Sequence, residues 1–388
     1  LHDFRSDNPE AMHFRNIPQL QALFGYPVGF TPQGRDAKFD HLVIGLGANF
    51  IEKRITIDRT IPKNGHFKAL DLDEWHAYDT AVIAEVDCQS KKGSVVVEYR
   101  SPAEVCAEEL PAIVFKAGDI DRVNQRLLVC TQTEIIEYDT ANWERTYYFS
   151  HPFFNDLHHA CYKSSANILL ANTGLDQILE VQRNIKQPSQ STIVNQWNVG
   201  AIPTWEKFDQ EIDYRKIATT KPHHSHPNFI FNSAGRWFAT RFHQQDAWDL
   251  QQSASAFPID VGNPHDGIIH DDLAVFTTTN GHLCGYDFSR NSMTLKMNLH
   301  SGYETSSLLG WCRGLLLQPT TQPGIALAWV GFSRIRPTWM RKNLSWIKQG
   351  FQAKGEYGTQ PTRIACYRVR LPNCTDSQVG GPTAKMEG

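Results

Sequence analysis

Apolar runs that end in a small polar residue recur along the middle of the chain. Leu127-Leu128-Val129-Cys130-Thr131, Leu169-Leu170-Ala171-Asn172-Thr173, Trp237-Phe238-Ala239-Thr240-Arg241 and Ala274-Val275-Phe276-Thr277-Thr278 share this form. A short turn leads from these runs into second strands such as Glu134–Asp139, Gln177–Val181 and His282–Asp287. Short apolar runs bounded by turn residues read as strands, and Asn280-Gly281 is a two-residue hairpin signal. Stretches of β-rich composition at 143–149, 192–199 and 293–299 supply an outer strand. A first strand precedes each unit, starting near Asp119, His158, His226, His265 and Trp311, at intervals of 39, 68, 39 and 46 residues. A period of roughly 40 residues with four antiparallel strands is the pattern of a β-propeller blade. The interval of 68 contains one blade plus an insertion at about 201–222, expected as a surface excursion.

The predicted fold is all-β, a single propeller over 41–371, with six blades preferred and five or seven compatible with the pattern. Ala81–Val86 and Ser94–Tyr99 read as strands of one further blade. The last strand, within Thr362–Arg370, lacks an outer partner, and a strand at His41–Gly47 is expected to close the ring and remove a free edge. A β-sandwich explains the period less well. Residues 1–40 are predicted as an N-terminal extension and 372–388 as a flexible tail. A second insertion, 333–360, interrupts the last blade. There Pro337 opens a helix whose apolar stripe is Met340, Leu344, Ile347 and Phe351, with Arg341, Lys342 and Lys348 off the stripe. Packing on the outside of the propeller is expected for it, in preference to a lid over the channel.

Composition narrows the function. Lys plus Arg is 38 against 41 Asp plus Glu, a formal charge of −3, so bulk charge gives no support for nucleic-acid binding. No apolar run is long enough to span a bilayer. The 8 cysteines include no CxxC pair, and several lie inside apolar strands, so buried free thiols are expected. Leu1 to Arg15 is polar and mixed in charge, unlike a secretory leader. A cytoplasmic location is the expectation.

Candidate chemistry comes from the openings of the first strands. They read Asp156-Leu157-His158-His159-Ala160-Cys161, His223-His224-Ser225-His226-Pro227-Asn228 and Asn263-Pro264-His265-Asp266-Gly267. First strands line the central channel of a propeller, so equivalent positions converge near one end of it. Three histidines there suggest a divalent metal such as Zn, Fe or Cu, with an open position for catalysis. Side chains alternate across a strand, so only one of His158 and His159 is expected to face inward. The predicted ligands are His159, His226 and His265, with His158 and His224 as alternates; alternation groups His224 with His226 and sets His223 apart. Asp119, Asp266 and Arg313 are the candidate catalytic residues, as acid–base groups, supports for ligand rings, or an anion clamp. Trp311 and Asp121 are candidate substrate-binding residues. Asp119 and Asp121 have a structural reading as turn residues, and Arg313 as part of an inter-blade salt bridge. The Tyr138-Asp139 and Tyr286-Asp287 pairs end third strands and read as structural. His243, His270, His282 and His300 share no repeat position and read as solvated or packed.

At His159, His226 and His265 the chain resembles the broad group of His-lined β-propeller proteins, over about 79–371. The resemblance implies a metal-dependent enzyme acting on a small molecule, by lyase or hydrolase chemistry first and oxidative chemistry next. Calcium lactonase propellers look less similar, because their channels are rich in Asp, Asn and Glu. The alternatives are a non-enzymatic propeller scaffold that binds a peptide or protein, and a carbohydrate-active propeller using paired carboxylates such as Asp119 with Asp266.

Overall fold

A computed structural model of the chain describes residues 13–31, 43, 46–51, 55–56, 70–71, 80–87, 92–108, 113–299, 311–333 and 363–372. The chain divides into two compact units, Leu1–Tyr78 with Thr359–Pro361, and Asp79–Gly358 with Thr362–Gly388. In the first unit, helix α1 (Asn16–Phe24) ends at Gly25, whose φ of 68° lets its N–H return to the Gln21 carbonyl. Strands β1 (Gly29–Phe30) and β2 (Phe50–Ile51) pair in parallel, as do β3 (Ile55–Thr56) and β4 (Leu70–Asp71).

The second unit carries the propeller. It begins with a two-stranded hairpin, β5 (Ala81–Asp87) and β6 (Lys92–Tyr99). Blade 1 is β7 (Asp119–Asp121), β8 (Arg126–Cys130), β9 (Ile135–Asp139) and β10 (Arg145–Phe149). Blade 2 is β11 (Leu157–Tyr162), β12 (Asn167–Asn172), β13 (Gln177–Gln182) and β14 (Thr192–Asn198). Blade 3 is β15 (Pro227–Ser233), β16 (Arg236–Arg241), β17 (Asp246–Asp249) and β18 (Ala254–Pro258). Blade 4 is β19 (Pro264–His270), β20 (Leu273–Thr278), β21 (His282–Asp287) and β22 (Ser292–Asn298). Among the described residues blade 5 has three strands, β23 (Trp311–Pro319), β24 (Ile325–Ser333) and β25 (Arg363–Arg370).

The arrangement is a five-blade propeller, within the range the period allows. Among the described residues the extra blade expected at 81–99 is a two-stranded hairpin, and its Val97 packs with Val129, Ile136 and Tyr138 of blade 1. The closing strand at His41–Gly47 and the helix at 337–352 fall largely or wholly outside the described residues. The 201–222 insertion is described and contains two helical turns, α2 (Thr204–Lys207) and a 3-10 turn at Tyr214–Lys216. Among the described residues six cysteines are free, and Cys130, Cys161, Cys284 and Cys312 of these are buried. No described helix is long and apolar enough to cross a membrane.

Period-2 alternation gives the blades apolar faces that pack on their neighbours in turn. Leu128, Cys130, Ile135 and Tyr147 of blade 1 pack on Leu157, Ala160, Leu170 and Leu179 of blade 2. The opposite face of blade 2, with Leu169, Ala171 and Ile178, meets Ile230 and Ala239 of blade 3. Phe231, Phe238 and Phe257 then meet Ala274, Phe276 and Tyr286. Leu273, Val275 and Leu283 of blade 4 meet Ala328, Val330 and Phe332 of blade 5. Each large side chain buried this way contributes roughly 1.5–3 kcal/mol. The first strands lie side by side around the axis: Ala117 forms a parallel bridge with His159, and Ala160 N–H donates to the Ala117 carbonyl at 3.3 Å.

Candidate functional site

The first strands of blades 2 to 5 are not regular where they open. In β11 the pairing steps from Leu157 opposite Asn172 to His159 opposite Ala171, so His158 has no partner on β12. In β19 it steps from Pro264 opposite Thr278 to Asp266 opposite Thr277, which leaves His265 unpaired. In β23 the shift between Cys312 and Leu315 leaves Arg313 and Gly314 unpaired, and β15 has a similar shift between Pro227 and Ile230. A bulged residue escapes strand alternation and can be aimed away from its sheet. These bulges present His158, His265 and Arg313 to one another.

The resulting cluster is compact. The rings of His158 and His226 are 4.7 Å apart between centroids, and those of His158 and His265 are 6.1 Å apart. Arg313 Nη1 donates to His265 Nε2 at 3.1 Å, and Arg313 Nε donates to Ser333 Oγ at 2.8 Å. The Arg313 guanidinium lies 5.4 Å from the Trp311 ring centre. His226 precedes β15 with φ at +54°, a backbone region that is strained for a non-glycine residue.

Hydrogen bonds determine the tautomer of each ring. His158 Nδ1 lies 2.8 Å from the Asp156 carbonyl oxygen, which can only accept, so Nδ1 carries the proton and Nε2 the lone pair. Thr220 Oγ1 donates to the Gly174 carbonyl, so it accepts from His223 Nε2 at 3.3 Å. His223 Nδ1 is then an acceptor and takes the proton of His226 Nδ1 at 2.8 Å, which leaves His226 Nε2 with a lone pair. An arginine can only donate, so His265 Nε2 is also a lone pair, and its proton is on Nδ1, buried without a partner among the described residues. All three rings therefore carry the tautomer that ligates through Nε2.

Burial shapes the electrostatics. It pushes His158 down to about 4 and holds His226 and His265 well below the ordinary histidine value, with neighbouring rings and Arg313 adding to the effect. Burial also lowers Lys116, although Asp156 partly opposes it. Burial works against the charge of Asp156, but His158 and Lys116 outweigh it and hold that carboxyl below its usual range. Asp266, next to His265, is pushed up to about 7 by burial; its Oδ1 accepts the Gly267 N–H at 2.8 Å.

Several sequence expectations need correction. His159 points away from the cluster: its Nδ1 accepts the Ile230 N–H at 3.2 Å, and its ring packs on Phe229 at 4.9 Å. The alternate His158 takes its place, because the bulge shifts the alternation by one residue. His224 is exposed, and its Nδ1 accepts the Ala201 N–H. His223 joins the cluster in its stead. Asp119 ties blade 1 to blade 2, with Oδ2 accepting the Tyr162 N–H at 3.1 Å. Asp121 caps a turn through the Val123 and Asn124 N–H groups. His243, read as unrelated, has its ring 5.8 Å from that of His226. Lys116 and Asp156 were missed. Asp156 stood in the quoted motif and also has a left-handed backbone, φ +49°.

By tautomer, each of the three rings offers its Nε2 as an acceptor. Arg313 occupies the Nε2 of His265, and among the described residues no three His, Cys, Asp or Glu side chains are grouped so that they could hold a metal ion.

Comparison with known proteins adds little about function. The NeuB family matches residues 6–89, well under half of the chain. No curated protein matches. Among solved structures, a putative 6-phosphogluconolactonase from Bacteroides uniformis is similar at 11% identity and a TM-score of 0.46, covering 77% of each chain. A protein of unknown function from Bacteroides caccae is similar at 13% identity and a TM-score of 0.42, over 65% of this chain and 79% of that one. Sqt1 of Saccharomyces cerevisiae follows at 8% identity and a TM-score of 0.37, over 64% of this chain and 62% of its own. At these values the likenesses carry no functional argument, and the propeller stands on its own strand topology.

Proposed function

We propose that the protein is an enzyme acting on a small molecule at the His-lined end of the propeller axis, by lyase or hydrolase chemistry, with oxidative chemistry as the second choice. What supports this reading is the packing of the His158 ring against those of His226 and His265, together with hydrogen bonds that leave Nε2 of each ring as an acceptor. A divalent metal, Zn, Fe or Cu, would be held by His158 and His226, with His265 as third ligand once Arg313 releases its Nε2. Such an ion polarises a bound oxygen or activates water.

The protein's own groups supply the rest. The Asp156 carbonyl fixes the His158 ring, and His223 fixes the His226 ring, in the way outer partners orient metal-binding imidazoles. Asp266, pushed to about 7, is suited to accept and return a proton near neutral pH. Trp311 offers an aromatic wall beside Arg313. The test is equilibrium dialysis of untagged protein against Zn, Fe and Cu, followed by elemental analysis. About one metal per chain supports the reading, and a folded protein that retains none of the three refutes it.

A further inference from the structure

We infer that the substrate of this site is a small oxyanion, a carboxylate or phosphate, held between Lys116 and Arg313 on either side of His158 and His265. The inference rests on the enzymatic reading above and deepens it. Lys116 is half-buried, with its side chain 21% exposed, as expected for a channel wall. Its Nζ is 3.9 Å from Asp156 Oδ1, beyond hydrogen-bond distance, and makes no hydrogen bond to a described residue. A half-buried ammonium whose nearest carboxylate oxygen is beyond hydrogen-bond distance keeps its donors open to a ligand. His265 Nδ1–H is a buried donor without a partner among the described residues.

The residues form a continuous row. Lys116 neighbours Asp156, Asp156 Oδ1 lies 3.6 Å from His158 Nδ1, the His158 ring faces His265, and His265 Nε2 accepts from Arg313. Lys116 and Arg313 both act electrostatically on His158 and His265, and Lys221 adds a third positive charge within reach of Lys116 and Asp156. Asp156 is the carboxylate within the row, and burial pushes Asp266, beside His265, towards its neutral form. The chain as a whole is acidic, at −3, so this local excess of positive charge is a property of the site rather than of the molecule. An arriving oxyanion would accept from Lys116 and draw the planar guanidinium of Arg313 off His265, which uncovers the third Nε2. Substrate binding and metal ligation would thereby be coupled at one side chain.

The experiment is isothermal titration calorimetry with malonate and with inorganic phosphate as separate probes, on protein stripped of metal by a chelator. Wild type is expected to bind at least one probe, and Lys116→Met and Arg313→Met each to weaken it about tenfold or more. Lys296→Met, which removes a cation paired with Asp260 on blade 4, is expected to bind as wild type does. A preference between the two probes identifies the source as carboxylate or phosphate. Failure of wild type to bind either probe, or unchanged affinity in Lys116→Met, overturns the inference. If Lys116→Met does not fold, Arg313→Met reads the same question from the other end of the row, and unchanged affinity there overturns it equally. Metal content plays no part in this readout, so the inference and the metal reading fail separately.

Discussion

Asp176 Oδ1 accepts the backbone N–H of His226 at 2.9 Å, and this bond holds the most strained histidine of the cluster in place. The same carboxylate accepts from Ser225 N–H at 2.8 Å and His224 N–H at 2.7 Å. Lys207 Nζ approaches it at 3.3 Å. Burial opposes the charge of Asp176, but the three N–H donors outweigh it and keep the carboxyl below its usual range. Charge-assisted bonds of this kind are worth roughly 1.5–3 kcal/mol each. Asp176→Ala is expected to lower unfolding stability by about 3 kcal/mol, because three buried donors lose their acceptor. Urea denaturation checks this, and a change below about 0.5 kcal/mol would show that the loop holds itself.

Arg313 covers the Nε2 of His265, so removing the guanidinium is expected to help a metal and harm an anion. The hydrogen bond that must open is worth on the order of 1–2 kcal/mol, and a nearby positive charge disappears with it. Arg313→Met should therefore bind Zn about tenfold more tightly than wild type, measured by competition with a chromogenic chelator. Equal or weaker binding would mean that His265 is not a ligand.

The blade period, the first-strand positions and the gathering of histidines at one end of the axis were all legible in the sequence. Alternation is a property of residue spacing, and Leu127–Thr131 or Ala274–Thr278 show it plainly. What the sequence hid was the bulge. A bulge adds one residue without a signature of its own, and here it exchanges the roles of His158 and His159. The left-handed backbones at Asp156 and His226 were hidden for a similar reason, since neither position is a glycine that would announce them. Lys116 was missed because a lone lysine that follows the apolar run Ile113-Val114-Phe115 looks like a solvated strand end. Its depth depends on the neighbouring blades.

His159 is a neutral strut between blades, and that gives a pH prediction. Its Nδ1 accepts the Ile230 N–H, so protonation there would break the bond. Burial pushes its pKa down to about 4, below the value of about 6.5 in an unfolded chain. Between these values the unfolded chain binds a proton that the folded one refuses. Stability is therefore full above about pH 6.5 and falls as pH drops towards 4, by about 1.4 kcal/mol per pH unit for each such ring. Urea midpoints at pH 7, 6, 5.5 and 5 should show this decline. His159→Gln should flatten it by about the contribution of one ring; an identical slope in the variant would show that His159 is already protonated or already exposed.

Glu134 fastens the β5–β6 hairpin to blade 1. Its carboxylate is fully buried and accepts from Tyr99 at 2.6 Å, Ser101 at 2.5 Å, Thr131 at 2.7 Å and Tyr148 at 3.0 Å. Glu134→Gln replaces one acceptor oxygen by an amide donor facing hydroxyls, at an expected loss of about 2 kcal/mol. Hydrogen exchange should then quicken about tenfold or more in β6 and stay unchanged in blade 4. Uniform quickening across all blades would place the effect in global stability instead.

The exchange of His158 for His159 offers the most direct test of the site itself. Untagged wild type, His158→Ala and His159→Gln are loaded with Zn by dialysis, and metal per folded chain is measured by elemental analysis. The bulged strand predicts about one equivalent for wild type and for His159→Gln, and a loss of at least tenfold in affinity for His158→Ala. Metal retained by His158→Ala and lost from His159→Gln would contradict the account, as would a folded wild type that takes up none.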